Sequence, residues 1–120
     1  MKIQILSDLH NEFEVFRQPR IDSDIVVLAG DIDLSVSGFD WARKAWPDKA
    51  IIYVPGNHEY YRSDIDYENE QMTKAGEIND IYLLNRGEVV IQGARFLGCS
   101  LWTDFACLEK RKSRNQYPWP

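Results

Sequence analysis

The chain has little cysteine, little histidine and no long run of apolar residues. Its 120 residues include two cysteines, Cys99 and Cys107, and no C-x-x-C unit, so a disulfide framework is not expected. No stretch approaches the ~18 apolar residues of a membrane span. The N-terminus also lacks a leader with an apolar run of about 7–15 residues. These absences predict a cytoplasmic protein with reduced thiols and no membrane association.

The sequence also contains fewer positively charged than negatively charged residues. Fourteen Lys and Arg residues stand against nineteen Asp and Glu residues, which gives a formal net charge of −5. General nucleic-acid binding is therefore not expected, because it requires a basic surface. A phosphate-bearing ligand held through metal ions stays compatible with this charge, since the ion supplies the positive charge. The length and the 28% of charged residues fit one globular domain or part of one.

Three short apolar runs predict strands of a parallel sheet. They cover residues 3–6, 25–29 and 51–54, and each run stops at polar or turn-forming residues. Brief and nearly unbroken apolar runs suit strands that are covered on both faces. Between the second and third runs, residues 39–46 end at Pro47, which cannot continue a helix. The order strand, helix, strand predicts a βαβ unit.

An acidic segment follows the third predicted strand. Residues 60–77 carry thinly spaced apolar residues, which predicts a solvated helix or a long loop. We expect its carboxylates to form a water-facing surface rather than a set of ligands. These carboxylates are Asp64, Asp66, Glu68 and Glu70.

The remainder of the chain changes to antiparallel β character. Residues 81–84, 88–91 and 95–98 predict strands, and the short glycine-containing gap between the last two predicts a hairpin. Residues 106–120 are basic, contain two prolines and show no period, which predicts an irregular tail.

Metal-competent side chains follow each of the three predicted parallel strands. Ligands of open α/β sheets bind beyond the carboxyl ends of the strands, so residues distant in sequence meet there. Carboxylate, imidazole and amide oxygen suit Mn²⁺, Fe or Zn²⁺ better than copper. Taken alone, the carboxylate and amide residues would be ordinary cap or turn residues, and His10 would be a surface or core-rim histidine. Together they predict a metal site, with Asp33 as a further carboxylate nearby. The residues are Asp8, His10, Asp31, Asn57 and His58.

The order and spacing of these residues resemble a known family. The calcineurin-like metallophosphoesterases carry D-x-H, G-D and G-N-H-[DE] blocks, and each block follows a strand. The similarity extends over residues 1–105 and implies a partial phosphoesterase domain of α/β class. The implied fold is the N-terminal half of a two-sheet sandwich flanked by helices, with βαβ units followed by antiparallel strands. The matching blocks are Asp8-Leu9-His10, Gly30-Asp31 and Gly56-Asn57-His58-Glu59.

The resemblance implies a centre of two divalent ions. Asp8 and His10 would bind one ion, and Asp31 would bridge both ions through its carboxylate. Asn57 would bind the second ion through its amide oxygen. Mn²⁺ is the first choice of metal, with Fe and Zn²⁺ as the alternatives that these ligand types also accept.

The resemblance also implies an activity and a proton donor. The activity is hydrolysis of phosphate mono- or diesters, in which two cations clamp the phosphate and activate a water molecule. His58 would not be a metal ligand but would protonate the leaving oxygen, and Glu59 would orient it. A phosphate ester is therefore the expected substrate.

The sequence departs from the family in its later blocks. The family continues with a lone histidine and a G-H-x-H block, whereas this sequence contains only His10 and His58. The alternative is therefore a truncated, non-catalytic remnant with weak or no metal binding. Residues 106–120 would then arise from truncation or a shifted reading frame.

Two further expectations concern partners. A half-sandwich would leave one apolar sheet face uncovered, which predicts self-association through that face. A plain nucleotide- or phosphate-binding module is a third reading of the chain. It would need a glycine-rich cradle, and neither G-x-G-x-x-G nor a Walker-type motif occurs in the sequence.

Overall fold

The computed structural model describes residues 1–102, and its centre is a parallel sheet of four strands. The strands lie side by side in chain order. They are β1 (Ile3–Leu6), β2 (Ile25–Ala29), β3 (Ala50–Val54) and β4 (Tyr82–Leu83). The predicted strands at residues 3–6, 25–29 and 51–54 are thus confirmed, and the fold is α/β.

Two helices and one hairpin complete the described fold. Helix α1 separates β2 from β3, which confirms the βαβ unit, and an antiparallel hairpin follows β4. The helices are α1 (Ser37–Ala45) and α2 (Ile65–Asn79), and the hairpin strands are β5 (Gly87–Ile91) and β6 (Ala94–Gly98). This order is consistent with the N-terminal half of a metallophosphoesterase fold.

The register of the sheet places the ends of β1, β2 and β3 at one edge. Leu6 pairs with Leu28, and Ala29 pairs with Val54. Because the strands are parallel, the residues that follow each strand leave the sheet on the same side. The three polar blocks of the sequence therefore meet at this edge.

The main core lies between the parallel sheet and the two helices. Phe39 of α1 stacks on Tyr53 of β3 with ring centroids 4.2 Å apart, and neither residue is exposed. Leu28 and Met72 are buried in the same cluster. Each such apolar side chain contributes about 1.5–3 kcal/mol through burial. This packing fixes the strand that leads into the Gly56-Asn57-His58 block.

The opposite face of the sheet is covered only in part. The hairpin packs over Ile25, Ile52 and Leu84, which form a second, smaller core. By contrast, Ile3 and Ile5 of β1 are 40% and 66% exposed. The expectation that the parallel strands are covered on both faces is therefore wrong for β1, because the hairpin lies over the other strands.

The acidic segment forms helix α2, and one of its carboxylates is buried. Asp64 caps the helix by accepting hydrogen bonds from two backbone N–H groups of the first turn. Glu68 is 4% exposed and accepts a hydrogen bond of 2.6 Å from the hydroxyl of Ser35. The prediction of a water-facing side chain is wrong for Glu68, because helical spacing places it on the inner face with Met72. Asp66 and Glu70 are exposed as expected.

Three predictions fall partly or wholly outside the described residues. The tail at residues 106–120 and Cys107 lie beyond residue 102, and the domain boundary at residue 105 stays a prediction. Within residues 1–102, neither helix has the length and apolar character that crossing a membrane would require.

Candidate metal and catalytic site

The loops that follow β1 and β2 are joined by backbone hydrogen bonds beyond the ends of the strands. The N–H of Asp8 donates to the carbonyl of Gly30, and the N–H of His10 donates to the carbonyl of Asp31, both at 3.0 Å. These bonds continue the pairing of the sheet into the loops. They bring two of the predicted blocks side by side.

Three of the predicted metal ligands adopt left-handed backbone conformations. The φ angles are 54° at Asp8, 50° at His10 and 55° at Asp31. Such conformations cost a non-glycine residue on the order of 1–3 kcal/mol and concentrate at functional sites. Strained backbone thus coincides with the residues that the sequence marks as ligands.

The same three side chains converge on one point. Ligand atoms of Asp8, His10 and Asp31 all lie within 4.8 Å of one another. Two carboxylates and one imidazole form a hard-to-borderline donor set that fits one divalent cation. The structure therefore brings together the residues that were assigned to the first ion.

The loop after β3 contacts the carboxylate of Asp31. The backbone N–H of His58 donates to Oδ1 of Asp31 at 3.0 Å. A Cβ atom at Gly56 would lie 2.2 Å from the same oxygen, so this approach requires a residue without a side chain. The glycine of the third block is thus explained by its contact with the candidate bridging carboxylate.

Asn57 lies on the cleft that also contains two of the ligands. It lines an open cavity of about 890 Å³ together with Asp8 and Asp31. Its Nδ2 donates to the hydroxyl of Tyr61 at 2.7 Å, which leaves the amide oxygen for a cation. Of the residues assigned to the second ion, the chain therefore offers Asp31 and Asn57 at this cleft.

Glu59 is a buried hydrogen-bond acceptor that links the loops after β2 and β3. It is fully buried, and each of its carboxylate oxygens accepts two hydrogen bonds. Burial raises the pKa of this carboxyl, and the hydrogen bonds that it accepts oppose the rise. The four donors are the backbone N–H groups of Asp31, Ile32 and Gly56 and the hydroxyl of Tyr53.

The expected role of Glu59 in orienting His58 is wrong. Both oxygens of Glu59 face the backbone of the neighbouring loops and Tyr53, because the short 3₁₀ turn His58–Tyr60 directs the two side chains apart. The carboxylate beside His58 is instead that of Glu12, whose Oε1 lies 2.6 Å from Nδ1 of His58.

Glu12 also contacts the other histidine. Its Oε1 lies 3.2 Å from Nδ1 of His10, and its side chain is only 9% exposed. Burial would raise the pKa of Glu12, but hydrogen bonds from its own backbone N–H and from the two histidines lower it overall. Sequence reasoning missed this residue. The signal was an acidic residue two positions after His10, but the exposed Glu14 in the same turn looks equivalent in the sequence.

Asp33 lies within electrostatic range of this group. Its Oδ1 accepts a hydrogen bond of 2.7 Å from the backbone N–H of Leu34. Burial raises the pKa of Asp33, and the negative charge of Glu12 adds to that rise. Asp33 is thus close enough to Glu12 for the two carboxylates to interact electrostatically.

Comparison with known proteins agrees with this geometry. The profile of the calcineurin-like phosphoesterase family, Metallophos, matches residues 1–118. The chain therefore belongs to the calcineurin-like phosphoesterases, and the resemblance of the three blocks is confirmed.

One curated relative is an uncharacterized protein, L509, of Acanthamoeba polyphaga mimivirus. It is 29% identical over 127 aligned residues, which cover 87% of this chain and 45% of that protein. The chain thus spans less than half the length of this relative. No solved structure matches the chain.

Proposed function

We propose that this protein is a metal-dependent phosphoesterase that hydrolyses phosphate mono- or diesters. The observation that carries the proposal is the convergence of Asp8, His10 and Asp31 within 4.8 Å at the carboxyl edge of a parallel sheet. Ligands of open α/β sheets bind at this edge. The family membership of the chain supplies the class of reaction.

The residues of the site offer three ligands for one ion and two for a second. Asp8, His10 and Asp31 would hold the first ion, and Asp31 and Asn57 would contribute to the second. Mn²⁺ is the proposed metal, with Fe and Zn²⁺ as alternatives, because all three accept carboxylate, imidazole and amide oxygen. When bound, the metal supplies Lewis acidity that polarises the phosphoryl group and activates water.

His58 is the proposed proton donor to the leaving oxygen. Its side chain is 19% exposed, and its ring packs edge-on to that of His10 with centroids 4.3 Å apart. Because Nδ1 faces Glu12, Nε2 is the nitrogen left to serve a substrate. An imidazole in hydrogen-bond reach of a leaving group is a suitable general acid near neutral pH.

The cleft beside the ligands is the proposed binding site of the ester. Arg86 lines it together with Asp8 and Asn57. A guanidinium group pairs well with phosphate oxygens, because its N–H donors match their geometry. Arg86 is thus a cationic side chain of this cleft, whose lining also includes the carboxylate of Glu88.

The test is metal-dependent hydrolysis of bis-p-nitrophenyl phosphate and p-nitrophenyl phosphate. Wild type is compared with Asp31→Asn, which weakens the bridging ligand, and with Asp48→Asn, which makes the same change at an exposed turn. We expect turnover that requires Mn²⁺ in wild type and Asp48→Asn, and a decrease of about 10–100-fold or more in Asp31→Asn. Turnover that survives Asp31→Asn unchanged would contradict the proposal.

A non-catalytic remnant is the second candidate, and the ligand count favours it. The sequence has two histidines, so the second ion would rely on Asp31 and Asn57 in the part of the chain described. Calorimetric titration with Mn²⁺ separates the two candidates. A folded chain that binds one ion or none and shows no turnover above Asp31→Asn supports the remnant.

A further inference from the structure

One carboxylate oxygen contacts both histidines of this chain. Oε1 of Glu12 lies 2.6 Å from Nδ1 of His58 and 3.2 Å from Nδ1 of His10. The side chain of Glu12 is nine-tenths buried, and its Oε2 is buried without a hydrogen-bond partner among the described residues. Oε1 is therefore the oxygen whose two side-chain contacts are both imidazoles.

This arrangement determines which ring nitrogen carries the proton. An ionised carboxylate only accepts hydrogen bonds, so a neutral imidazole that faces it must present an Nδ1–H group. The lone pair is then on Nε2. For His10, Nε2 is the atom left for a cation. For His58, Nε2 faces away from Glu12 and must take up a proton before the ring can donate it to a leaving oxygen.

We propose that Glu12 is a positioning residue that holds His10 and His58 together in their Nδ1–H tautomers. The metal ligand and the proton donor are then oriented by the same carboxylate oxygen. The inference deepens the proposed phosphoesterase function and rests on it for the roles of the two histidines. The tautomers themselves do not depend on that function.

The competing arrangement is a metal ion held by His10, Glu12 and His58. Their ligand atoms also lie within 4.8 Å of one another. However, two ligands of a tetrahedral ion with bonds of about 2.1 Å are ~3.4 Å apart. The 2.6 Å between Oε1 of Glu12 and Nδ1 of His58 is too short for two ligands of one ion and is that of a short hydrogen bond. The geometry therefore favours proton-mediated contacts.

The test is long-range ¹H–¹⁵N spectroscopy of the metal-free chain at about pH 8, where ordinary imidazoles are neutral. The sequence contains two histidines, so the spectrum holds two ring systems, and His58→Phe assigns them. We expect Nδ1–H tautomers for both rings in wild type. In Glu12→Gln, at least one ring should shift toward the Nε2–H tautomer, which free imidazole side chains favour in water.

Glu14→Gln is the matched control, since it removes the same charge from an exposed position in the same turn. It should leave both tautomers unchanged. Nε2–H tautomers in wild type would overturn the inference, and so would identical spectra of wild type and Glu12→Gln. If Glu12→Gln fails to fold, the tautomers observed in wild type alone test the inference.

Adding Zn²⁺ tests the competing arrangement. We expect the Nε2 signal of His10 to shift while His58 keeps its Nδ1–H signal. Loss of the Nδ1–H signal of both rings would place the ion on Glu12 and overturn the inference.

Kinetics then connects the tautomers to turnover. With bis-p-nitrophenyl phosphate, Glu12→Gln should lower kcat by about 10–100-fold with little change in KM, whereas Glu14→Gln should change neither. If wild type has no turnover, the proposed function fails, but the spectra still decide the tautomers. If wild type turns over and Glu12→Gln matches it, the positioning role fails while the proposed function stands.

Discussion

The backbone N–H of His58 donates a hydrogen bond to Oδ1 of Asp31 across 27 positions of sequence. This bond ties the loop after β3 to the loop after β2. It sets the distance between the candidate proton donor and the candidate bridging ligand. Because this bond joins the two blocks, we expect a substitution in either loop to change the geometry of the other loop.

Gly56→Ala should weaken metal binding. The new Cβ would lie 2.2 Å from Oδ1 of Asp31 and 2.7 Å from its backbone nitrogen, so the carboxylate must move. We expect at least an approximately tenfold loss of Mn²⁺ affinity in calorimetric titration. Gly87→Ala is the control, since its Cβ would meet Leu84 at an ordinary 3.8 Å. Equal affinities of the two variants would show that Asp31 does not need this approach.

Glu59→Gln should lower stability more than Tyr53→Phe. The amide of the new glutamine can take two orientations. If its nitrogen replaces Oε1, the N–H of Ile32 loses its acceptor. If its nitrogen replaces Oε2, the N–H groups of Asp31 and Gly56 lose theirs. An orphaned buried donor costs about 1–3 kcal/mol. Tyr53→Phe removes one donor and leaves the three backbone N–H groups paired.

Urea unfolding of both variants measures this difference. We expect a loss of about 2 kcal/mol in the free energy of unfolding for Glu59→Gln and about 1 kcal/mol for Tyr53→Phe. The reverse order would contradict the role of Glu59 as the acceptor that joins the loops.

Arg43→Lys should destabilise the helical layer although it keeps the charge. The guanidinium of Arg43 donates to the backbone carbonyls of Trp46, Pro47 and Lys49, and to those of Asn79 and Asp80 at the end of α2. An ammonium group has three donors and cannot reproduce this fork.

Thermal unfolding measures the effect of losing these bonds. We expect a loss of about 1–3 kcal/mol in Arg43→Lys, because some carbonyls lose their donor. The reciprocal change Lys44→Arg at the exposed neighbour should stay within about 0.5 kcal/mol. A destabilisation of both variants by similar amounts would argue against a specific role of Arg43.

Ile5→Thr should reduce self-association of the chain. Ile5 is 66% exposed on the sheet face that the hairpin leaves open, and Leu97 of the hairpin is 71% exposed. Exposed apolar patches favour association. The control is Ile78→Thr, which makes the same change at an 82% exposed position of α2.

Analytical ultracentrifugation over a range of concentrations provides the measurement. We expect a larger average mass for wild type and Ile78→Thr than for Ile5→Thr. If all three proteins were monomeric at every concentration, the predicted self-association would be wrong.

The parts of the fold that the sequence predicts are those set by local pattern. Continuous β-branched runs identify β1, β2 and β3, and the parallel order alone places Asp8 and Asp31 at one edge. The sequence did not predict the burial of Glu68 or the contacts of Glu12, because both involve residues that are distant in sequence. Glu68 lies on the inner face of α2, and its hydrogen-bond partner there, Ser35, is 33 positions away. Glu12 is distinguished from Glu14 by His58, which is 46 positions from Glu12.

The left-handed conformations of Asp8, His10 and Asp31 have a thermodynamic consequence. The fold holds these three residues in this conformation, so the side chains that would bind an ion are positioned by the chain itself. An ion that binds the folded but not the unfolded chain stabilises the fold by mass action. Above the dissociation constant, each tenfold rise in free ion adds about 1.4 kcal/mol to the free energy of unfolding. If Asp8, His10 and Asp31 bind an ion as proposed, the melting temperature of the chain will rise with the concentration of that metal.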